Sequence, residues 1–140
     1  MLIDGGADVN SKLSYGATPL HRAASSNPVP EVAKALIDAG ADLERRADTG
    51  ATPLHWATAG NPEPEVAKIL IKAGANINSR DNSGLAPLHW ATFNKKSEII
   101  GILAAAGADM NIRTNREETP LHAAAVHGSL AMVEALISAG

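Results

Sequence analysis

The feature that most constrains this chain is a phrase it repeats. Thr18-Pro19-Leu20-His21 recurs as Thr52-Pro53-Leu54-His55, as Ala86-Pro87-Leu88-His89 and as Thr119-Pro120-Leu121-His122, at spacings of 34, 34 and 33 residues. A second phrase alternates with it: Gly6-Ala7-Asp8-Val9-Asn10, Gly40-Ala41-Asp42-Leu43-Glu44, Gly74-Ala75-Asn76-Ile77-Asn78 and Gly107-Ala108-Asp109-Met110-Asn111. A period of this length marks a supersecondary unit that cannot bury its own apolar face, so the units must stack into a solenoid.

Each unit reads as helix, turn, helix, then an extended loop. Threonine is a good N-cap because its hydroxyl can accept an orphan amide, and the proline after it takes the first helical position, where no N–H is needed. The first helix is small-sided, with Ala23-Ala24 and Ala123-Ala124-Ala125, which lets neighbours approach closely. The second begins near Pro30, Pro64, Ser97 and Ser129 and carries apolar residues at helical spacing, as in Val66, Ile69, Leu70 and Ala73. Gly40, Gly74 and Gly107 are placed to end it in a left-handed conformation.

These residues closely resemble the ankyrin repeat, whose pattern of Gly-x-Thr-Pro-Leu-His-x-Ala-Ala, Glu-Val-Val and Leu-Leu-x-x-Gly-Ala-Asp-Val-Asn is matched nearly throughout. The resemblance implies an all-α ankyrin-repeat solenoid of L-shaped helix-turn-helix units with projecting β-turn fingers. It divides a single domain over residues 1–140 into a partial repeat (1–17), three full repeats (18–51, 52–85 and 86–118) and a terminal helix pair (119–140). It also implies that each motif histidine bonds its own threonine hydroxyl and a nearby backbone carbonyl. Asn10, Asn78 and Asn111 resemble in position the asparagine that is hydroxylated in some animal ankyrin proteins.

Composition narrows the function. The 140 residues are 45% hydrophobic, with 12 basic and 15 acidic residues giving a formal charge of −3. The charges are interspersed, which disfavours a nucleic-acid partner, since phosphate binding needs a concentrated basic face. The longest nearly unbroken apolar stretch, Ile99 to Ala106, is far short of the roughly 20 residues that span a bilayer. Met1-Leu2-Ile3-Asp4 lacks the basic start and long apolar run of a signal peptide. The absence of cysteine removes disulfides, thiolate metal sites and cysteine nucleophiles, and is compatible with a cytoplasmic or other reducing intracellular compartment.

No enzyme signature is visible. Phosphate-binding glycine loops, a nucleophile elbow and His-Glu-x-x-His are all missing. Asp42, Asp109, Glu65 and Glu134 are scattered rather than paired for acid–base work. The four motif histidines line up along the stack, but helices packed about 8–10 Å apart cannot share a metal whose ligand nitrogens sit about 2 Å away. No cofactor or metal is expected, and His127 reads as a surface residue.

Some departures from the repeat are informative. Asn27-Pro28-Val29-Pro30 and Asn61-Pro62-Glu63-Pro64 each hold one extra residue, predicting two rigid turns side by side whose second proline opens the next helix. Ala86 replaces a capping threonine. Glu117 stands where Gly16, Gly50 and Gly84 occur, and a positive φ there strains a residue with a Cβ. Leu13, Ala47 and Thr114 replace the finger aspartate that survives as Asp81, so three fingers are expected to lose its bond to the backbone. Leu130, Met132, Val133, Leu136 and Ile137 have no following unit to cover them, which suggests a chain cut from a longer array or one that pairs end to end.

Ankyrin proteins bind through the finger tips and the exposed face of the first helices. Projected onto this chain, the positions proposed to meet a protein partner are Tyr15, Ser25, Ser26, Asp48, Thr49, Asn82, Ser83, Leu85, Trp90, Phe93, Asn94, Arg116, Glu118 and His127. Aromatics are enriched at binding hot spots, and Tyr15 and Phe93 both fall on this face, whereas Trp56 and Trp90 read chiefly as inter-repeat packing. The function expected is protein–protein interaction; the alternative is a structural array that associates end to end.

Overall fold

The computed structural model describes residues 5–140; Met1–Asp4, where the partial first unit begins and the signal-peptide reading falls, lie outside the described residues. The fold is all-α. Its helices are α1 (Pro19–Ser26), α2 (Pro30–Asp38), α3 (Pro53–Gly60), α4 (Pro64–Lys72), α5 (Pro87–Phe93), α6 (Ser97–Ala105), α7 (Pro120–His127) and α8 (Leu130–Ala139). The odd-numbered helices stack in one row and the even-numbered in a second, with each odd helix also packed on the even helix that follows it.

The repeated leucine is what each unit places between neighbours: Leu20, Leu54 and Leu88 are fully buried, beside the small Ala24, Ala57 and Ala91. The second row adds Val66, Leu70, Ile99, Ile100 and Leu103. Each such side chain contributes about 1.5–3 kcal/mol on leaving water, so the stack is held by contacts between units rather than within them.

Three of the four motif histidines join the units, whereas the His122 ring, among the described residues, bonds only Thr119 and not, as expected of each, a carbonyl as well. The Thr18 backbone N–H donates to His21 Nδ1 at 3.1 Å, so the ring proton must sit on Nε2, which donates to the carbonyl of Ala51, directly before the next unit, at 3.0 Å. His55 makes the same pair with Thr52 N–H (3.1 Å) and the Leu85 carbonyl (2.9 Å), and His89 with Ala86 N–H (3.1 Å) and the Glu118 carbonyl (3.1 Å). The Thr18 and Thr52 hydroxyls also lie 3.0 and 2.9 Å from the ring, as the resemblance implied, a contact that Ala86 cannot supply. Each carbonyl belongs to the last residue of the histidine's own repeat, directly before the first helix of the following unit, so the histidine fastens the junction between repeats.

A second fastener lies in the loops. Asn10 Oδ1 accepts from Asp42 N–H at 2.8 Å, Glu44 Oε1 from Asn76 N–H at 2.7 Å and Asn78 Oδ1 from Asp109 N–H at 2.9 Å. A third was not legible in the sequence. The two proline turns do sit together, because Asn61 Nδ2 reaches back to the carbonyls of Ala24 (2.8 Å) and Asn27 (3.0 Å), while its Oδ1 accepts from Glu63 N–H. Pro30 and Pro64 open α2 and α4 as expected.

Two expectations need correction. The Thr114 finger keeps its side-chain bonds, since the hydroxyl accepts from the Arg116 and Glu118 N–H groups at 3.2 Å each; only Leu13 and Ala47 leave their turns without one. Met132 and Leu136 are buried against the stack, because α8 packs on α6 along one face and exposes the other. What remains open at that end is Leu121 (41% exposed), Leu130 (72%) and Ile137 (63%).

Candidate partner-binding groove

The fingers form a continuous edge. Each closes on itself through a turn bond, from Gly16 N–H to the Leu13 carbonyl, Gly50 to Ala47, Gly84 to Asp81 and Glu117 to Thr114, and a return bond from the N–H of Leu13, Ala47, Asp81 or Thr114 to the carbonyl four residues on. Each then bonds the next: the N–H groups of Asp48, Asn82 and Asn115 donate to the carbonyls of Tyr15, Thr49 and Ser83 at 3.0, 3.0 and 3.1 Å. The glycines are required twice over. Their φ is positive (+81°, +82° and +79°), and a Cβ at Gly84 would lie 2.5 Å from Asn115 N. Glu117 holds φ +64° without that collision, because no further finger abuts it among the described residues.

The base of each finger carries a cation that sequence reasoning missed. Arg46 Nη1 donates to the Gly50 carbonyl at 2.9 Å, and Arg80 Nε to the Gly84 carbonyl at 3.2 Å. Arg46 also reaches Ser79 and the Arg80 carbonyl of the next unit, and Arg80 reaches Asn115 Oδ1. The recurrence of a basic residue just before each finger, Lys12, Arg46, Arg80 and Arg113, is the signal that could have found them.

Aromatic rings pack on the motif histidines. Trp56 lies on the edge of His21 (centroids 5.1 Å apart) and stacks with Tyr15 at 6.4 Å, while Trp90 lies on the edge of His55 at 5.3 Å. Trp90 Nε1 donates to Asp81 Oδ2 at 3.0 Å, and Asp81 Oδ1 accepts from the Ser83 and Leu85 N–H groups. Both tryptophans thus sit over the fastening histidines. Burial pushes the pKa of His21, His55 and His89 below its ordinary value, opposed by the bond to the backbone carbonyl of Ala51, Leu85 or Glu118.

The positions singled out in the sequence fall into two groups. At the α1 end, Tyr15 accepts from Arg22 Nη1 at 3.4 Å, and the Ser25 and Ser26 hydroxyls turn back to the Arg22 carbonyl. Asp48 and Thr49 are exposed tips whose carbonyls take Asn82 donors. At the other end, Asn82, Ser83, Leu85, Phe93, Arg116 and Glu118 line a recess of about 380 Å³, with Thr114 and Asn115. A second recess, of about 310 Å³, adjoins it and is lined by Phe93, Glu118, His122, Ala123, Ala125, Val126 and His127.

Phe93 and Glu118 are the wall the two recesses share. Phe93 is 37% exposed and meets the His127 ring at 5.4 Å, and Val126 is 75% exposed. Trp90 and Asn94 line neither recess; Trp90 is committed to His55 and Asp81, and Asn94 caps α5 by donating to the Trp90 carbonyl at 2.8 Å. Val126 and Asn115 belong to this surface.

Among the described residues no group of three or more histidine, aspartate or glutamate side chains could hold a metal ion, and no helix is long and apolar enough to cross a membrane. A family model described as ankyrin repeats (3 copies) matches residues 1–81 and 60–140. No curated protein matches the chain.

Proposed function

The chain belongs to the ankyrin-repeat family, whose domains are in general protein-interaction modules, and from that premise we propose that it is non-catalytic and binds a protein partner along the concave groove and finger tips. The observation that carries this is the paired recess at Phe93, where Leu85, Phe93 and Val126 leave apolar surface beside Asn82, Ser83, Arg116 and Glu118. Aromatic anchors with a polar rim are what interface hot spots consist of. The fold gains little from exposing Phe93 at a position where Ser25 and Ala59 stand in earlier units.

Selection of binders from a displayed random-peptide library, followed by backbone shift mapping, tests the reading. Binders should perturb the finger tips and α5–α7, and Phe93→Ala should weaken them at least tenfold with little change in melting temperature. Binders that ignore Phe93 and Leu85, or a library that yields none, would overturn it.

A second reading, end-to-end association of copies, is favoured by the open face of Leu121, Leu130 and Ile137. Glu117 weighs against it, since its Cβ occupies the point where the inner fingers need glycine to receive a neighbour. Sedimentation equilibrium across a hundredfold concentration range separates the two.

A further inference from the structure

Glu118 stands in the repeat where Ala17, Ala51 and Leu85 stand in the earlier units. Ala17 and Ala51 are fully buried, so the position makes no demand for a charge. The Glu118 backbone serves the fold, donating to Thr114 and accepting from Thr114 N–H and His89 Nε2. Its carboxylate serves nothing of the kind: among the described residues it has no ion-pair partner, and the cations nearest in sequence, Arg113 and Arg116, pair with Glu117 or with no carboxylate. Yet it lines both recesses, and the smaller of them sets it beside the exposed ring of Phe93, with Val126, two alanines and two imidazoles.

A carboxylate and an aromatic face bordering one recess form a receptor for a cation, the first through charge and the second through its ring quadrupole. The volume, about 310 Å³, lies at the lower limit for small-molecule pockets and suits a single long side chain entering from a peptide. We propose that the recess between Phe93, Glu118 and Val126 takes an arginine or lysine side chain of the partner, next to an apolar residue seated against Leu85 and Phe93. The proposal rests on the groove reading above and gives its partner a chemistry: a basic residue flanking an aliphatic or aromatic one.

The test uses the intact chain and the displayed random dodecapeptide library. Wild-type selections should enrich arginine or lysine adjacent to an apolar residue, and a synthesised binder should shift the amides of Glu118, Val126 and His127. Glu118→Gln, which keeps the side chain's size, should weaken that binder about fivefold and leave a version with the basic residue replaced by norleucine unaffected. Selection on Glu118→Lys should replace the basic preference with an acidic one. Binders that depend on Phe93 but show no basic enrichment would overturn this assignment while leaving the groove reading standing; binders indifferent to Phe93 would overturn both. Equal circular dichroism and melting temperature for the two Glu118 variants exclude misfolding as the cause.

Discussion

His55 Nε2 donates to the carbonyl of Leu85 at 2.9 Å, tying the first helix of a repeat to the residue that directly precedes the next one. The companion bond from the Thr52 N–H exists only while the ring is neutral with its proton on Nε2, because Nδ1 is its acceptor. Protonating the ring would point a second N–H at a donor.

The folded state therefore prefers neutral His21, His55 and His89, whose pKa values burial holds below the unfolded value of about 6.5. A group whose folded pKa is depressed in this way binds more protons when unfolded, so stability is fully present above about pH 6.5 and falls as pH drops toward the folded values. Urea midpoints taken between pH 8 and pH 5 should be level at the upper end and decline below about 6.5. A profile that is flat or rises on acidification would contradict the fastening role.

Unit three lacks one contact its neighbours have. Ala86→Thr should return a hydroxyl to His89 Nδ1 and the N-cap, raising stability by about 0.5–1 kcal/mol; a lowered urea midpoint would mean the site cannot accept the extra atoms.

Glu117 and Gly84 occupy the same turn position and should respond in opposite directions. Glu117→Gly relieves a left-handed backbone (φ +64°) and is expected to stabilise by roughly 0.5–1 kcal/mol; the exposed Arg113–Glu117 pair it removes contributes little. Gly84→Ala imposes the strain and drives a Cβ to 2.5 Å from Asn115 N, at a cost of at least about 1–3 kcal/mol. Chemical denaturation of both variants compares them directly.

Asn61→Ala should cost about 1–3 kcal/mol, because it leaves the Ala24 and Asn27 carbonyls without their donor. Asn61→Asp should be as damaging, since it keeps the turn acceptor but turns a carboxylate oxygen toward those carbonyls. A neutral Asp variant would show that the turn bond to Glu63 is the part that matters.

The stack was legible because its period is written four times with Pro-Leu-His, and the helix starts at Pro19, Pro30, Pro53 and Pro64 follow from where proline and threonine are tolerated. The fasteners were only half legible. His21 and His55 announce themselves by recurrence, whereas Asn61, Arg46 and Arg80 act on backbone carbonyls, which carry no letter in a sequence. Thr114 misled for a related reason: a hydroxyl and a carboxylate both accept from turn amides, so the substitution that looked like a loss preserves the bonds. For the candidate site, register placed Leu85, Phe93 and Glu118 on one face, but their convergence on shared recesses depends on distances between units.

The bonds that tie Asp48 to Tyr15, Asn82 to Thr49 and Asn115 to Ser83 hold the finger tips at a constant interval. That interval is a step of roughly 8–10 Å, the spacing of packed helices, whereas an extended peptide advances about 3.3 Å per residue. A strand lying along the tips would therefore be sampled at about every third residue, leaving the two between free to vary. On the groove reading, the edge would act as a ruler whose grammar is a triplet.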